Sequence, residues 1–224
     1  MKNIIKLLVL LPLFATTACD DLFEPAIENN RDLDAMHSDA DYALGVLANG
    51  YILLPYNTSP TSDVATDDAV SNDNSNTWRA MATGAWTAQN DPTSQWKNCY
   101  NAIQYLNMFL ERVESVPFSQ TENIQTMFVD SYSGEAYGLR AVYMYFLLRA
   151  HGGIGTDGQL LGVPIKTTSE SPDSDFSQPR DTYAACIEQI LSDCDKAIEL
   201  LPLDYKDKHT ESEIPQKYLD LGIN

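Results

Sequence analysis

The sequence predicts an all-α fold of paired helices joined by long irregular loops. Three observations carry this expectation. Residues 134–153 read GEAYGLRAVYMYFLLRAHGG and set Ala136, Ala141 and Ala150 among Leu139, Tyr143, Phe146 and Leu147. Spacings of three and four put these on one side of a helix, where small residues admit a neighbouring helix and larger ones fill its grooves. An order of aromatic, aliphatic and alanine at helical intervals then occurs twice, from Trp96 through Tyr100 and Ile103 to the stretch from Ala136 to Ala150, and from Tyr183 through Ile187, Ile190 and Ala197. Finally, the chain holds no Gly-rich phosphate loop, GxSxG elbow or HExxH helix. The pattern points to a binding scaffold.

The elements follow in order. Residues 1–18 read as a signal peptide: Lys2 and Lys6 are basic, residues 7–14 are apolar, and Thr16, Thr17 and Ala18 are small. The apolar run falls well short of the roughly 20 residues that span a bilayer. Cys19 follows, and a small-residue run ending in cysteine resembles a lipobox, whose thiol is acylated and becomes the first mature residue. Thr16 stands where a lipobox usually has Leu. The other reading is an ordinary secretory signal beside a free cysteine. Asp20 and Asp21 open a polar stretch, so residues 19–38 are assigned to lipid anchor and tether and 39–224 to the helical domain.

Within that domain, Asp39 is expected to cap a helix over 39–54 that Pro55 ends. Residues 55–93 are polar and weakly periodic, and a loop of this length inside a domain is usually functional. Ser94 is expected to cap a helix over 94–115, with Trp96, Tyr100, Ile103, Leu106, Asn107 and Leu110 as its buried stripe. A third helix covers 120–151 and stops at Gly152 and Gly153. Residues 152–180 form an excursion in which 160–165 is extended, and Asp181 is expected to cap a last helix over 181–201. This is the logic of tetratricopeptide-like pairs, each burying its face on the next. No strong apolar helix follows Leu201. The expectation is therefore an amino-terminal part of a longer protein, a truncated chain, unless the last stripe packs wholly on earlier helices.

Composition narrows the partners. Fourteen basic residues face 32 acidic ones, net −18, and losing Lys2 and Lys6 with the leader makes it −20. Such a surface repels phosphate backbones and other polyanions, which argues against nucleic acid. About 190 residues suffice for one core. Beyond Cys19 the cysteines are Cys99, Cys186 and Cys194, an odd number. Cys186 and Cys194 lie about 12 Å apart along a helix, too far to bridge, and all three read as small core residues. His37, His151 and His209 show no ligand spacing.

Taken together, several motifs resemble the SusD/RagB family. They are Trp96-x-x-x-Tyr100-x-x-Ile103-x-x-x-Asn107, then GEAYGLRAVYMYFLL with His151-Gly152-Gly153, then Val163-Pro164, and then Tyr183-x-x-x-Ile187 with Asp193, Ala197 and Leu201-Pro202. The TDDA run at 66–69 resembles its amino-terminal region, and with the lipobox the likeness covers residues 19 to about 220. The resemblance implies a fold of four tetratricopeptide-like helix pairs in a longer protein. It implies a surface-exposed lipoprotein of the cell outer membrane in Bacteroidetes. Such a protein binds nutrient oligosaccharides, or peptides in RagB-like branches, and delivers them to a SusC-type TonB-dependent transporter without breaking a bond. A subunit that binds only protein and a secreted glycosidase are the rival readings.

Candidate site residues lie in the 55–93 loop. Sugars present C–H patches to aromatic faces and hydroxyls to amides and carboxylates. Trp78 is the expected ligand platform, with Asn76 and Arg79 beside it; the alternative is a polar loop with one tryptophan tucked into the core. Trp86 reads as an anchor for the loop, and Trp96 and Tyr100 as core. Asp63, Asp67, Asp68 and Asp73 could offer oxygen to calcium, but the alternate-position EF-hand pattern is missing, so no cofactor is expected. Glu135 or Arg140 could be a buried polar contact that fixes a helix pair, or Arg140 could pair with a carboxylate.

Overall fold

The computed structural model describes residues 33–55, 61–87, 89 and 91–201. The leader, Cys19, most of the tether and the tail from Pro202 lie outside the described residues. Described residues form five α-helices, α1 (Ala40–Ile52), α2 (Thr77–Ala82), α3 (Trp96–Leu110), α4 (Glu122–His151) and α5 (Tyr183–Leu200), with a two-stranded ribbon of β1 (Gly153–Ile154) and β2 (Leu160–Leu161). No described helix is long and apolar enough to cross a membrane. Helix α3 packs between α1 and α4, and α5 packs along α4. The fold engages the chain ahead of residue 39: Met36 is fully buried and His37 bonds the Ser115 hydroxyl.

Why these residues form these elements is visible at their ends. Asp39 caps α1 as expected, accepting from the Tyr42 N–H at 3.1 Å. Two other expected caps shift by one residue. Helix α3 begins after Gln95 rather than Ser94, and no side chain of its own caps it; instead the Gln95 N–H donates to Nε2 of His151 at 3.1 Å. Helix α5 is capped by Thr182, which accepts from the Ala185 N–H, because the Asp181 carboxylate is taken by the N–H of Ile165 at 2.8 Å. In both places a residue distant in sequence decides the local end. The 55–93 segment is not bare loop, since it holds a 3-10 helix at Thr61–Ala65 and the short helix α2.

Core side chains follow the predicted stripes. Ala43, Val46 and Leu47 of α1 are buried, as are Cys99, Ile103, Leu106 and Phe109 of α3 and Ala136, Leu139, Tyr143 and Leu147 of α4. Gly50 makes the α1 crossing possible: a Cβ there would lie 2.7 Å from Leu106 Cδ2, and the Gly50 carbonyl accepts the Tyr143 hydroxyl. After α4 the chain turns through a hairpin with Gly153 opposite Leu161 and Ile154 opposite Leu160. Gly158 takes φ +81° in its turn, a conformation a side chain resists. Cys99 and Cys186 are buried as expected, and burial pushes the Cys99 thiol up to about 12. Cys194 is only half-buried.

Two packing expectations are corrected. Trp96 is 39 % exposed and Tyr100 only half-buried, so neither belongs to the core. Both stand at the start of α3, beyond the cover that its middle turns receive. The apolar face of α5 divides. Cys186 and Ala197 are buried, whereas Leu191 and Ile198 are exposed, so the stripe does not pack wholly on earlier helices.

One polar cluster crosses the core. The Arg140 side chain, 3 % exposed, donates from Nε to Asp193 Oδ2 at 2.8 Å and from Nη2 to Oδ1 at 2.7 Å. Its Nη1 donates to the Asn107 side-chain oxygen at 2.8 Å. The Asn107 amide in turn donates to the carbonyls of Lys166 and Thr168 at 3.2 and 2.9 Å. Helices α3, α4 and α5 and the 163–170 segment are thus joined through one guanidinium. Removing one member of such a pair leaves an unpaired buried charge, at a cost of about 3–5 kcal/mol, while replacing both with apolar residues is far milder. Asp193→Ala is therefore expected to lower stability in urea unfolding by that amount, and the Arg140→Met, Asp193→Leu double variant to recover most of it. A single variant as stable as the parent would disprove this role.

Candidate functional site

A cavity of about 290 Å³ opens where the end of α1, the helix α2 and the last turns of α4 converge. Its apolar walls are Trp78 of α2, Phe146 of α4, Pro55 and Pro92. Thr93, Gln95 and Arg149 bring hydroxyl, amide and guanidinium groups to the same space. Aromatic walls with a few convergent polar groups are the usual composition of a ligand pocket. The Arg149 guanidinium sits 5.5 Å from the Phe146 ring centroid, which steadies both side chains.

Local sequence explains why Trp78 stands there. The Asn76 side-chain oxygen accepts from the N–H groups of Trp78 and Arg79 at 3.0 and 3.2 Å and so starts α2. Ahead of it, Asp73 accepts from both the N–H and the hydroxyl of Ser75, bonds that hold its carboxyl below the usual range. Arg79 reaches back to the Asn74 side chain. Of the three residues singled out in this loop, Trp78 reaches the cavity, while Asn76 and Arg79 shape the turn that presents it. Trp86 is 49 % exposed and does not serve as a buried anchor.

The opposite wall was missed by sequence reasoning. Phe146 falls on the predicted core face of α4, yet it is only half-buried and faces the cavity with Arg149. The spacing of three between them places both on one helix side, and that signal was available. The 91–95 segment is shaped by Asp91, which accepts from the N–H and hydroxyl of Thr93 at 2.8 and 2.7 Å. His151 then locks the segment to the end of α4 through Gln95, its ring edge-on to Trp96 at 5.3 Å. Arg180 donates to the His151 carbonyl at 2.7 Å. Burial is the main cause holding the imidazole below its ordinary range; Arg180 adds to it and Asp91 opposes it.

Other candidates have different partners. Glu135 accepts the Tyr51 hydroxyl at 2.6 Å across the α1–α4 contact, and burial raises its carboxyl despite that bond. Among the described residues no cluster of three or more His, Cys, Asp or Glu side chains converges on a metal-sized space, the aspartates of the 63–73 segment included.

Comparison with known proteins agrees with this fold. A family model, SusD-like_3, described as starch-binding associating with outer membrane, matches residues 26–216. SusD-like protein P38 of Formosa agariphila is 30% identical over 104 residues, 46% of this chain and 17% of its own length. A SusD-like protein of Bacteroides fragilis superposes with a TM-score of 0.61 at 19% identity, over 80% of this chain and 33% of that one. A SusD-like carbohydrate binding protein of Bacteroides vulgatus gives 0.58 at 20% identity, over 75% and 37%. The chain thus spans about a third of the solved structures it matches and less of the curated relative.

The His151 contact sets a pH dependence. The neutral ring accepts from Gln95 through Nε2, and a proton there would replace acceptor with donor. The unfolded chain takes up that proton near pH 6.5 and the folded one lower. Stability from this group is therefore complete above about pH 6.5 and is lost as pH falls through the folded value. Thermal melts between about pH 7.5 and 5 are expected to fall more steeply for the parent than for His151→Gln, whose amide oxygen still accepts. Equal slopes would remove His151 from this role.

Proposed function

This chain belongs to the SusD-like family, and we propose that it is a lipid-anchored protein of the outer membrane that captures uncharged oligosaccharides at the cell surface. It hands them to a SusC-type TonB-dependent transporter and cleaves nothing. The observation that carries this reading is the cavity at the end of α4, where Trp78 and Phe146 offer ring faces and Gln95, Thr93 and Arg149 offer polar groups. Ring faces suit the C–H side of a pyranose, and the amide and hydroxyl suit its hydroxyls. Asn76 and Arg79 serve by setting the α2 turn that aims Trp78.

Three further considerations support it. The family's own description names starch and the outer membrane. The acidic balance of the chain disfavours polyanions and favours uncharged ligands. Cys19 behind a small-residue run supplies the attachment point for a lipid. Binding on a preformed surface needs only contacts that fit, and the groups around this cavity are those of holding.

The test is calorimetric titration of the full chain with maltooligosaccharides. Trp78→Ala is expected to weaken binding about tenfold, the loss of roughly 1.4 kcal/mol, with circular dichroism unchanged. Undiminished affinity in that variant would overturn the site. Stable co-purification with a barrel transporter, with no sugar bound by the parent, would favour the protein-only assembly reading, and peptide binding in its place the RagB-like one.

A further inference from the structure

A second aromatic groove opens on the other side of the start of α3. It encloses about 210 Å³ between Trp96 and Tyr100 on one wall and Pro164, Phe176 and Gln178 on the other. We propose that this groove is a second sugar subsite beside the Trp78 cavity, so that the ligand is a chain of several units lying across the start of α3. The proposal rests on the oligosaccharide reading and adds to it the length of the ligand and a second platform.

The two linings are neighbours along the chain. Gln95 lines the first cavity and Trp96 the second, and neighbouring Cα atoms are about 3.8 Å apart. Across the same partition, Ala150 lines the first cavity while the next residue, His151, sets its ring edge-on against Trp96. The Gln95–Trp96 step at the start of α3 and the Ala150–His151 step at the end of α4 thus lie between the two spaces.

The groove is also held open in a fixed shape. Its Tyr100 hydroxyl donates to the Pro164 carbonyl at 2.7 Å, which satisfies the polar tip and leaves the ring as wall. Gln104 makes a reciprocal pair with Glu170, donating to its carbonyl and accepting its N–H, both at 2.8 Å. Glu111 accepts from the N–H and hydroxyl of Ser169. Asn107 holds the carbonyls between. The 163–170 segment is thereby laced to α3 by side chains. Against this fixed wall Trp96 and Phe176 stay 39 % and 66 % exposed. An exposed ring releases free energy when covered, and for Trp96, fixed on α3, the ordering cost is small.

Charge selects the occupant. Lys166 and Glu170, the charged residues of the lining, pair with each other, so the groove is neutral in a strongly acidic chain. Neutral rims, ring faces and the Gln178 amide match an uncharged sugar better than a polyanion or a charged peptide.

The experiment compares maltose, maltotetraose and maltohexaose on the full chain by calorimetry. The parent is expected to gain affinity with length as both subsites fill. Trp96→Ala should weaken maltohexaose about tenfold and leave maltose within about twofold, whereas Trp78→Ala weakens both. Phe176→Ala, on an exposed side chain, should reproduce the length-selective loss without touching the Trp96–His151 contact. Parent binding with no length dependence, or Trp96→Ala and Phe176→Ala both binding maltohexaose like the parent, overturns the second subsite and leaves the first reading standing. Failure of the parent to bind any of the three sugars overturns both for this ligand class. Uptake of a neutral peptide that Trp96→Ala abolishes, with no sugar bound, overturns the proposal too.

Discussion

The bidentate pair between Arg140 and Asp193 is the interaction on which the rest of this structure depends. It is buried, and burial makes two charges expensive unless every donor and acceptor around them finds a partner. Here they do. Asp193 also accepts from Gln189 at 3.0 Å, and Arg140 gives its remaining direction to Asn107. A satisfied network of this kind accepts few alternative arrangements, since shifting α5 by one turn against α4 would strand both charges. Apolar packing sets how much surface these helices bury; the pair sets which register they bury it in.

Its reach goes beyond the helices. Asn107 passes the constraint to the carbonyls of Lys166 and Thr168, and those carbonyls belong to the segment that walls the second groove. Along α4 the same anchor lies eleven residues before His151, about 16 Å at 1.5 Å per residue. A continuous helix over that length is stiff, so the core fixes the position of Phe146, Arg149 and His151. Both aromatic surfaces stand at the ends of pinned elements, which gives them exposure and keeps their geometry.

The helices were legible in the sequence because their signal is periodic and each buries a stripe. Tyr143, Leu147, Ile103 and Leu106 are where spacing put them. The Arg140 carboxylate partner was foreseen as a type of contact, but not as Asp193, since no local rule joins residues 53 positions apart. Long-range contacts also explain the displaced caps. Ser94 has the right chemistry to cap α3, yet the imidazole of His151 arrives from another helix; Asp181 has it for α5, yet it faces Ile165. Trp96 shows a different limit. Periodicity tells which residues share a face and says nothing of how far along the helix the cover extends. Trp78 stands out in the sequence because ring and amide chemistry lie together in a short polar run, and that composition does describe one side of the cavity. Phe146 and Arg149, on the opposite wall, were concealed within a helix that reads as core.

A protein that passes its ligand onward gains from dividing the contact. A single deep pocket reaches high affinity by slowing dissociation, and a ligand held that way is poorly delivered. Two shallow aromatic surfaces on either side of one helix start distribute the same contact area over separate units of the chain. Each unit can leave while the other stays, so a chain long enough for both is retained and a short one escapes. The neutral wall of the second groove adds discrimination without adding grip, because it offers an anion no partner on an acidic protein and contributes little attraction of its own. On the proposed function, selectivity by length and charge and readiness to release come from the same arrangement, and both require that the two platforms keep their spacing. That requirement returns to the core, where Arg140 fixes α4 and the 163–170 wall relative to α3.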